Sequence, residues 1–349
     1  MEKGGAIKRW WKWTLPVLLL ALGVGVGLFI SQPQAQEKNV LIAKKVTTAP
    51  TLDGVMEDLW KQAAPLTVKV VGGRNLPKGT TEVTLRALYT ADTAYFLVQY
   101  ADPTQSFRRS PWQKQADGSW TKLKDPDDKG GDNNLYYEDK FGWIWNISFP
   151  DFEKKGCLAA CHTGEGKPYG NKYTAKAGER LDMWHWKGVR TGSVGQIDDQ
   201  YVDDTRYDKD KNPNAGRKSD PKTGGGYADN LTADKKGPQF ALKGNKPAPP
   251  YWILEGEKEP FDGAKYKAGD EVPGIIVASF TGDRGEVPTQ AVWKDGVWTL
   301  EIARKLQTGS EFDVQFGDLK KEYAFGVAVF DNAQVRHAYS PGVYKLKFE

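Results

Sequence analysis

The chain has 349 residues, with 49 Lys and Arg against 45 Asp and Glu for a formal net charge of +4, and is 39% hydrophobic, 12% aromatic and 27% charged. Charge this evenly balanced lacks the one-signed basic face of a nucleic-acid binder, and so average a composition excludes a collagen-like or wholly disordered chain. The 13 Trp, 15 Tyr and 14 Phe supply ample core area, while 38 Gly and 20 Pro interrupt the chain too often for a helical bundle.

At the N-terminus, Lys3, Lys8, Arg9 and Lys12 precede an uncharged apolar run over residues 14–30, the pattern of a signal peptide or of one short transmembrane helix. Residues 31–35 offer no small-x-small cleavage site, and Trp10, Trp11 and Trp13 suit the membrane–water interface. The expectation is an anchor over residues 1–36 that holds the body, residues 37–349, on the periplasmic side of a bacterial cytoplasmic membrane. Cleavage would instead leave a soluble periplasmic protein.

Beyond the anchor, strand signals dominate. Residues 83–89 and 94–100 are β-rich runs separated by a turn and predict a hairpin. Similar β-branched or aromatic runs recur at 142–149, 274–280, 290–293, 297–302, 323–330 and 342–348. Helical turns fit only residues 57–64 and the neighbourhood of the cysteines. Many short strands, at both ends of the domain, predict an all-β antiparallel sandwich with long loop insertions. Residues 202–250, full of Lys, Asp, Asn, Gly and Pro, predict a polar, partly flexible insertion that is dispensable for cofactor binding.

The chemistry is concentrated at Cys157-Leu-Ala-Ala-Cys161-His162, which holds the chain's two cysteines. Three chemistries compete there: a disulfide, a zinc site lacking a further ligand, and a covalent haem c whose vinyl groups take both thiols while His162 ligates iron. Haem attachment explains the adjacent histidine and is the expectation, although three residues separate the cysteines in place of the usual two. The thiols then stand at i and i+4, on one helical face. For a second axial ligand the candidates are Met183 and His185, which share a strand face with Lys187, and His337 in a loop after the 323–330 run.

Further runs carry a family resemblance: Thr51-Leu-Asp-Gly54 with Trp60, Val98-Gln-Tyr-Ala-Asp102, Arg109-Ser-Pro-Trp112, Asp182-Met-Trp-His-Trp-Lys187, Phe312-Asp-Val-Gln-Phe316 and Ala328-Val-Phe-Asp-Asn332. In their order they resemble the haem-binding domain shared by the gamma subunit of ethylbenzene dehydrogenase and related subunits of dimethyl sulfide dehydrogenase and chlorate reductase. The resemblance implies a β-sandwich similar to family 9 carbohydrate-binding modules. It also implies a haem held where that family uses a Met and a Lys, positions to which His162 and His337 correspond. Trp184, Trp186 and Lys187 are then expected in the haem pocket, and the partner is expected to be a membrane or periplasmic redox protein, such as a molybdenum-enzyme-like oxidoreductase complex.

Two function classes follow. One is an exported, membrane-anchored monohaem c-type cytochrome that relays electrons; the other is a ligand- or carbohydrate-binding sandwich with a Cys157–Cys161 disulfide. No nucleophile–base or zinc-protease motif occurs, so an electron-transfer protein is expected in preference to an enzyme.

Overall fold

The computed structural model describes residues 38–161 and 171–349. The expected N-terminal anchor therefore lies outside the described residues, and among the described residues no helix is long and apolar enough to cross a membrane.

The alternation read from the sequence becomes strands β1 (Val40–Lys45), β2 (Leu66–Val71), β3 (Thr80–Tyr89), β4 (Thr93–Ala101), β5 (Lys140–Asn146), β6 (Leu181–Lys187), β7 (Asp198–Val202), β8 (Arg217–Ser219), β9 (Gly224–Asp229), β10 (Ile275–Thr281), β11 (Thr289–Lys294), β12 (Val297–Lys305), β13 (Tyr323–Phe330), β14 (Ala338–Tyr339) and β15 (Tyr344–Phe348). One 13-stranded sheet runs in the order β8-β7-β6-β5-β13-β14-β2-β3-β4-β12-β11, with β1 pairing β3 and β15, and β15 pairing β13. The sheet folds on itself into two layers. Phe96 of β4 meets Trp143 of β5 with ring centroids 5.0 Å apart, and Trp298 of β12 meets Trp186 of β6 at 4.8 Å, although neither pair of strands is hydrogen-bonded. The protein is thus a mostly antiparallel β-sandwich, the class that alternating strands and frequent turns predict.

Register decides what each face of the β8–β13 layer carries. Phe141, Trp143 and Trp145 of β5, Trp184 and Trp186 of β6, and Phe325, Val327 and Val329 of β13 join the main core. Lys140, Gly142 and Ile144, Met183, His185 and Lys187, and Gly326, Ala328 and Phe330 turn to the opposite face, which the remaining loops cover. Helical turns form where expected, at Asp58–Gln62 and around the cysteines, at Phe152–Lys155 and Gly156–Ala159.

The polar insertion departs from expectation. Its β8 extends the main sheet beside β7, and its β9 pairs antiparallel with β10, which also holds Ile253–Leu254 in parallel. Hydrogen bonding does here what a large apolar core would do elsewhere. The buried Asn230 side chain alone donates to the carbonyls of Phe240 and Pro273 and accepts from the amides of Gln239 and Phe240.

Candidate cofactor-binding site

A cavity of about 340 Å³ lies on the outer face of β5, β6 and β13. Its walls are the cysteine turn, the loop that leads to β14, and Asn214, Arg217 and Tyr227 from the insertion. The three floor strands are in register, Gly142 opposite both His185 and Ala328, and Ile144 opposite both Met183 and Gly326. The floor therefore has three levels, about 6.7 Å apart. Ile144, Met183 and Gly326 form an apolar level beside Cys157. A middle level has Gly142, His185 and Ala328, and the last has Lys140, Lys187 and Phe330.

The apolar end is set by backbone geometry. The Cys161 amide donates to the Cys157 carbonyl at 2.8 Å, so the two cysteines stand one helical turn apart, as their spacing predicts. Gly156, at φ +60, passes so close to the Gly342 carbonyl oxygen that a Cβ would stand 2.5 Å from it, and only glycine fits. Gly326 leaves room for Cys157, whose Cβ would lie 3.4 Å from any Cβ placed there. Both thiols are free and buried. Burial, reinforced by Cys161, pushes the Cys157 thiol up, and burial raises Cys161 likewise, so both are protonated at neutral pH.

Two imidazoles reach the cavity. His185 is buried, and its Nδ1 stands 3.4 Å from Gln200 Oε1, which can only accept, so Nδ1 holds the proton. Its Nε2 has no hydrogen-bond partner. Burial, and then Lys187 and Lys140, hold this ring's pKa far below the ordinary histidine value, so the imidazole is neutral. The Nδ1 of His337 donates to the Val335 carbonyl at 3.0 Å, the kind of backbone hydrogen bond that orients metal-bound histidines. Phe330 packs against both rings, with centroids 5.5 Å from His185 and 4.6 Å from His337.

The far end is cationic. Lys140, Lys187, Arg190 and Arg217 line it there, Lys172 lines the cavity nearer the two thiols on which it acts, and among the described residues no Asp or Glu lines the cavity. The Lys140 ammonium donates to the Gln334 carbonyl at 2.8 Å and sits 3.9 Å over the Phe330 ring. Burial, with Arg190 nearby, drives its pKa well below the usual lysine value. Lys187 pairs with buried Asp198, which also takes Arg284 at 2.6 Å and the Tyr227 hydroxyl at 3.1 Å.

The structure thus brings Cys157, Cys161, Met183, His185, Lys187 and His337 to one cavity. His162 lies outside the described residues. Trp184 and Trp186 are corrected: β6 alternates, so facing Met183, His185 and Lys187 into the cavity sends both indoles into the sandwich core, where Trp184 packs on Phe96 at 5.7 Å. The insertion contributes Asn214, Arg217 and Tyr227 to the wall. The floor glycines were missed, although the outward positions of Lys140-x-Gly142-x-Ile144 and Gly326-x-Ala328-x-Phe330 carry their signal in the alternation.

This donor set fits a flat, anionic macrocycle: small residues at the middle of the floor, thiols at an apolar end, imidazoles between, and at the other end basic groups of which Lys187 and Arg190 also pair with Asp198 and Glu138. By class the protein is a β-sandwich with a deep amphipathic cavity on one outer face. The chain belongs to the ethylbenzene dehydrogenase family, whose sequence model matches residues 57–341. No curated protein matches it. Among solved structures it is similar to a family 9 carbohydrate-binding module from Caldicellulosiruptor kristjanssonii. The glucose complex shows 8% identity and a TM-score of 0.34 over 89% of this chain and 95% of that one. The cellotriose complex shows 10% identity and a TM-score of 0.34 over 89% and 94%.

Proposed function

We propose that this protein is an exported monohaem c-type cytochrome, tethered through its N-terminal segment, that relays electrons to or from an oxidoreductase complex. The observation that carries the reading is the convergence of both cysteines, two histidines and five basic residues on one cavity with a glycine-lined floor. A bound haem would supply reversible one-electron Fe(III)/Fe(II) chemistry. The protein's part is to hold and tune it. Cys157 and Cys161 would carry the vinyl-derived thioethers, with Ile144 and Met183 against that edge, and Lys187, Arg190 and Arg217 would receive the propionates. Since burial keeps both thiols protonated once folded, attachment belongs to the chain before this segment closes.

In this reading His162, next to the second attachment point, and His337 would ligate the iron. His337 is favoured by its hydrogen bond to the backbone, while the unpartnered Nε2 of His185 makes that residue the first rival and Met183 the second. Leu158, between the cysteines and 42% exposed, brings the attachment edge close to the surface where a partner would dock.

The deciding experiment is expression with a cytochrome c maturation system, followed by a haem-stained denaturing gel and a pyridine haemochrome spectrum. One covalent haem per chain is the expected result. No stain, together with a Cys157–Cys161 disulfide found by mass spectrometry, would replace this reading with a ligand-binding sandwich.

A further inference from the structure

Outside the cavity, a buried acidic cluster lies where the two layers meet at one end of the sandwich. Asp102 follows the last residue of β4, Asp139 precedes β5, and Asp331 follows β13. Their carboxylates present ligand oxygens within 4.8 Å of one another, and all three residues are buried. No ion pair among the described residues reaches any of them; burial makes all three weaker acids than usual, and Asp331 adds to this at Asp102, as Asp102 and Asp331 do at Asp139. Hydrogen bonds satisfy part of the set. Asp139 accepts from the amides of Ser106 (2.7 Å) and Asn332 (2.9 Å), Asp102 from Thr104 N at 3.0 Å, and Asp331 from the Thr104 hydroxyl at 3.3 Å. One oxygen of Asp102 has no partner.

A second observation is independent of the acids. The Tyr100 hydroxyl is without a hydrogen-bond partner although the residue is only 2% exposed. Tyr100 stands two residues before Asp102 on the same face of its strand. It stacks on Phe141 at 6.1 Å, which stands two residues after Asp139 on the facing strand. The phenol thereby lies beside the cluster, and the three carboxylates are the charges that act on it. A buried phenol oxygen and a buried carboxylate oxygen, both unsatisfied and at a triad without a counter-cation, are what a missing cation leaves. All the donors are hard oxygens, with no thiolate or imidazole among them, which selects Ca²⁺ over the transition metals. The other acidic triad, Asp182, Asp199 and Asp313, differs in already facing the Arg304 guanidinium, 2.8 Å from Asp313.

We propose that Asp102, Asp139 and Asp331, with Tyr100 and Thr104 supplying further oxygens, bind one Ca²⁺ that clamps the two layers of the sandwich. The ion would reach the site through the exposed loop that carries Thr104. Because Asp139 and Asp331 adjoin Lys140 and Phe330, it would also pin the strand ends at the cationic side of the cavity. The site stands apart from the haem reading and survives its failure.

The test is calcium content by atomic emission of the full-length protein after gel filtration, with calorimetric titration of CaCl₂ into EDTA-treated protein. One Ca²⁺ per chain is expected, weakened at least tenfold by Asp331→Asn and more mildly by the exposed Thr104→Ala, which should fold normally. Asp199→Asn should leave affinity unchanged. No calcium at millimolar CaCl₂, or calcium lost from Asp199→Asn and retained by Asp331→Asn and Thr104→Ala, would overturn the proposal and leave the triad holding protons.

Discussion

The glycine floor makes the sharpest claim on function, and Gly142→Leu tests it. Gly142 has a backbone open to any residue, and a Cβ there would meet Ala328 Cβ at 3.7 Å and Phe330 Cε2 at 4.0 Å, ordinary contacts that force nothing to move. The leucine would extend into the cavity at its middle level, opposite His185. Without cofactor, the substitution should stabilise. Burying a leucine side chain is worth about 1.5–3 kcal/mol in full, and replacing glycine within a strand about 0.5–1 kcal/mol. The cavity is partly open, so a net gain of about 2 kcal/mol is reasonable, or about 4 °C in melting temperature at about 2 °C per kcal/mol for a chain of this size. With cofactor the sign reverses, because the same side chain takes the place of the macrocycle. The assay is the haem-to-protein absorbance ratio of variant and wild type expressed side by side, with thermal melts of both apoproteins and Gly142→Ala as the intermediate case. A Gly142→Leu protein that loads haem to the wild-type ratio would refute this assignment of the floor. An apoprotein destabilised by more than about 2 kcal/mol would refute the steric argument beneath it.

Four further outcomes are expected. His337→Ala should convert a low-spin haem spectrum to high-spin, while His185→Ala and Met183→Ala leave it low-spin; the reverse pattern would move the second ligand to β6. Deleting residues 208–246 should abolish haem incorporation, since it removes Arg217 and Tyr227 from the wall, and intact loading would contradict that placement. Burial opposes ionisation of Asp198, but Lys187 and Arg284 more than offset it and hold its carboxyl well below the usual range. That stability is present above about pH 4, the unfolded value, and is lost as pH falls further; Asp198→Asn should cost about 3–5 kcal/mol at neutral pH and flatten the acid limb of a pH–stability curve. Conversely, burial and then Asp331 raise Asp102 to about 7, so EDTA-treated protein should lose stability as pH rises from about 4 to 7, and CaCl₂ should restore it in thermal melts.

The amino-acid sequence determined by itself everything that depends on short-range periodicity. Alternating runs such as 94–100, 297–302 and 323–330 became strands, the Cys-x₃-Cys spacing became one helical turn, and Leu181–Lys187 put Met183, His185 and Lys187 on a common face. Period two separates the faces of a strand but cannot say which of them meets the core. In Leu181–Lys187 every residue is buried, so tryptophans and cofactor-facing groups look alike along the chain, and only pairing with β5 and β7 sent Trp184 and Trp186 inward. Composition misjudged the 202–250 segment for a related reason. Its order comes from side-chain amides and carboxylates bonded to distant backbone, as Asn230 is to Pro273, and from pairing with β10, contacts that no local window contains. His185 and His337, far apart in sequence, meet the same Phe330 ring because the loop before β14 folds back over β13. The floor at Gly142 and Gly326, and the triad at three strand ends, likewise exist only once those strands lie side by side. Long-range register, which pairs residues hundreds of positions apart, is what turned legible strands into a site.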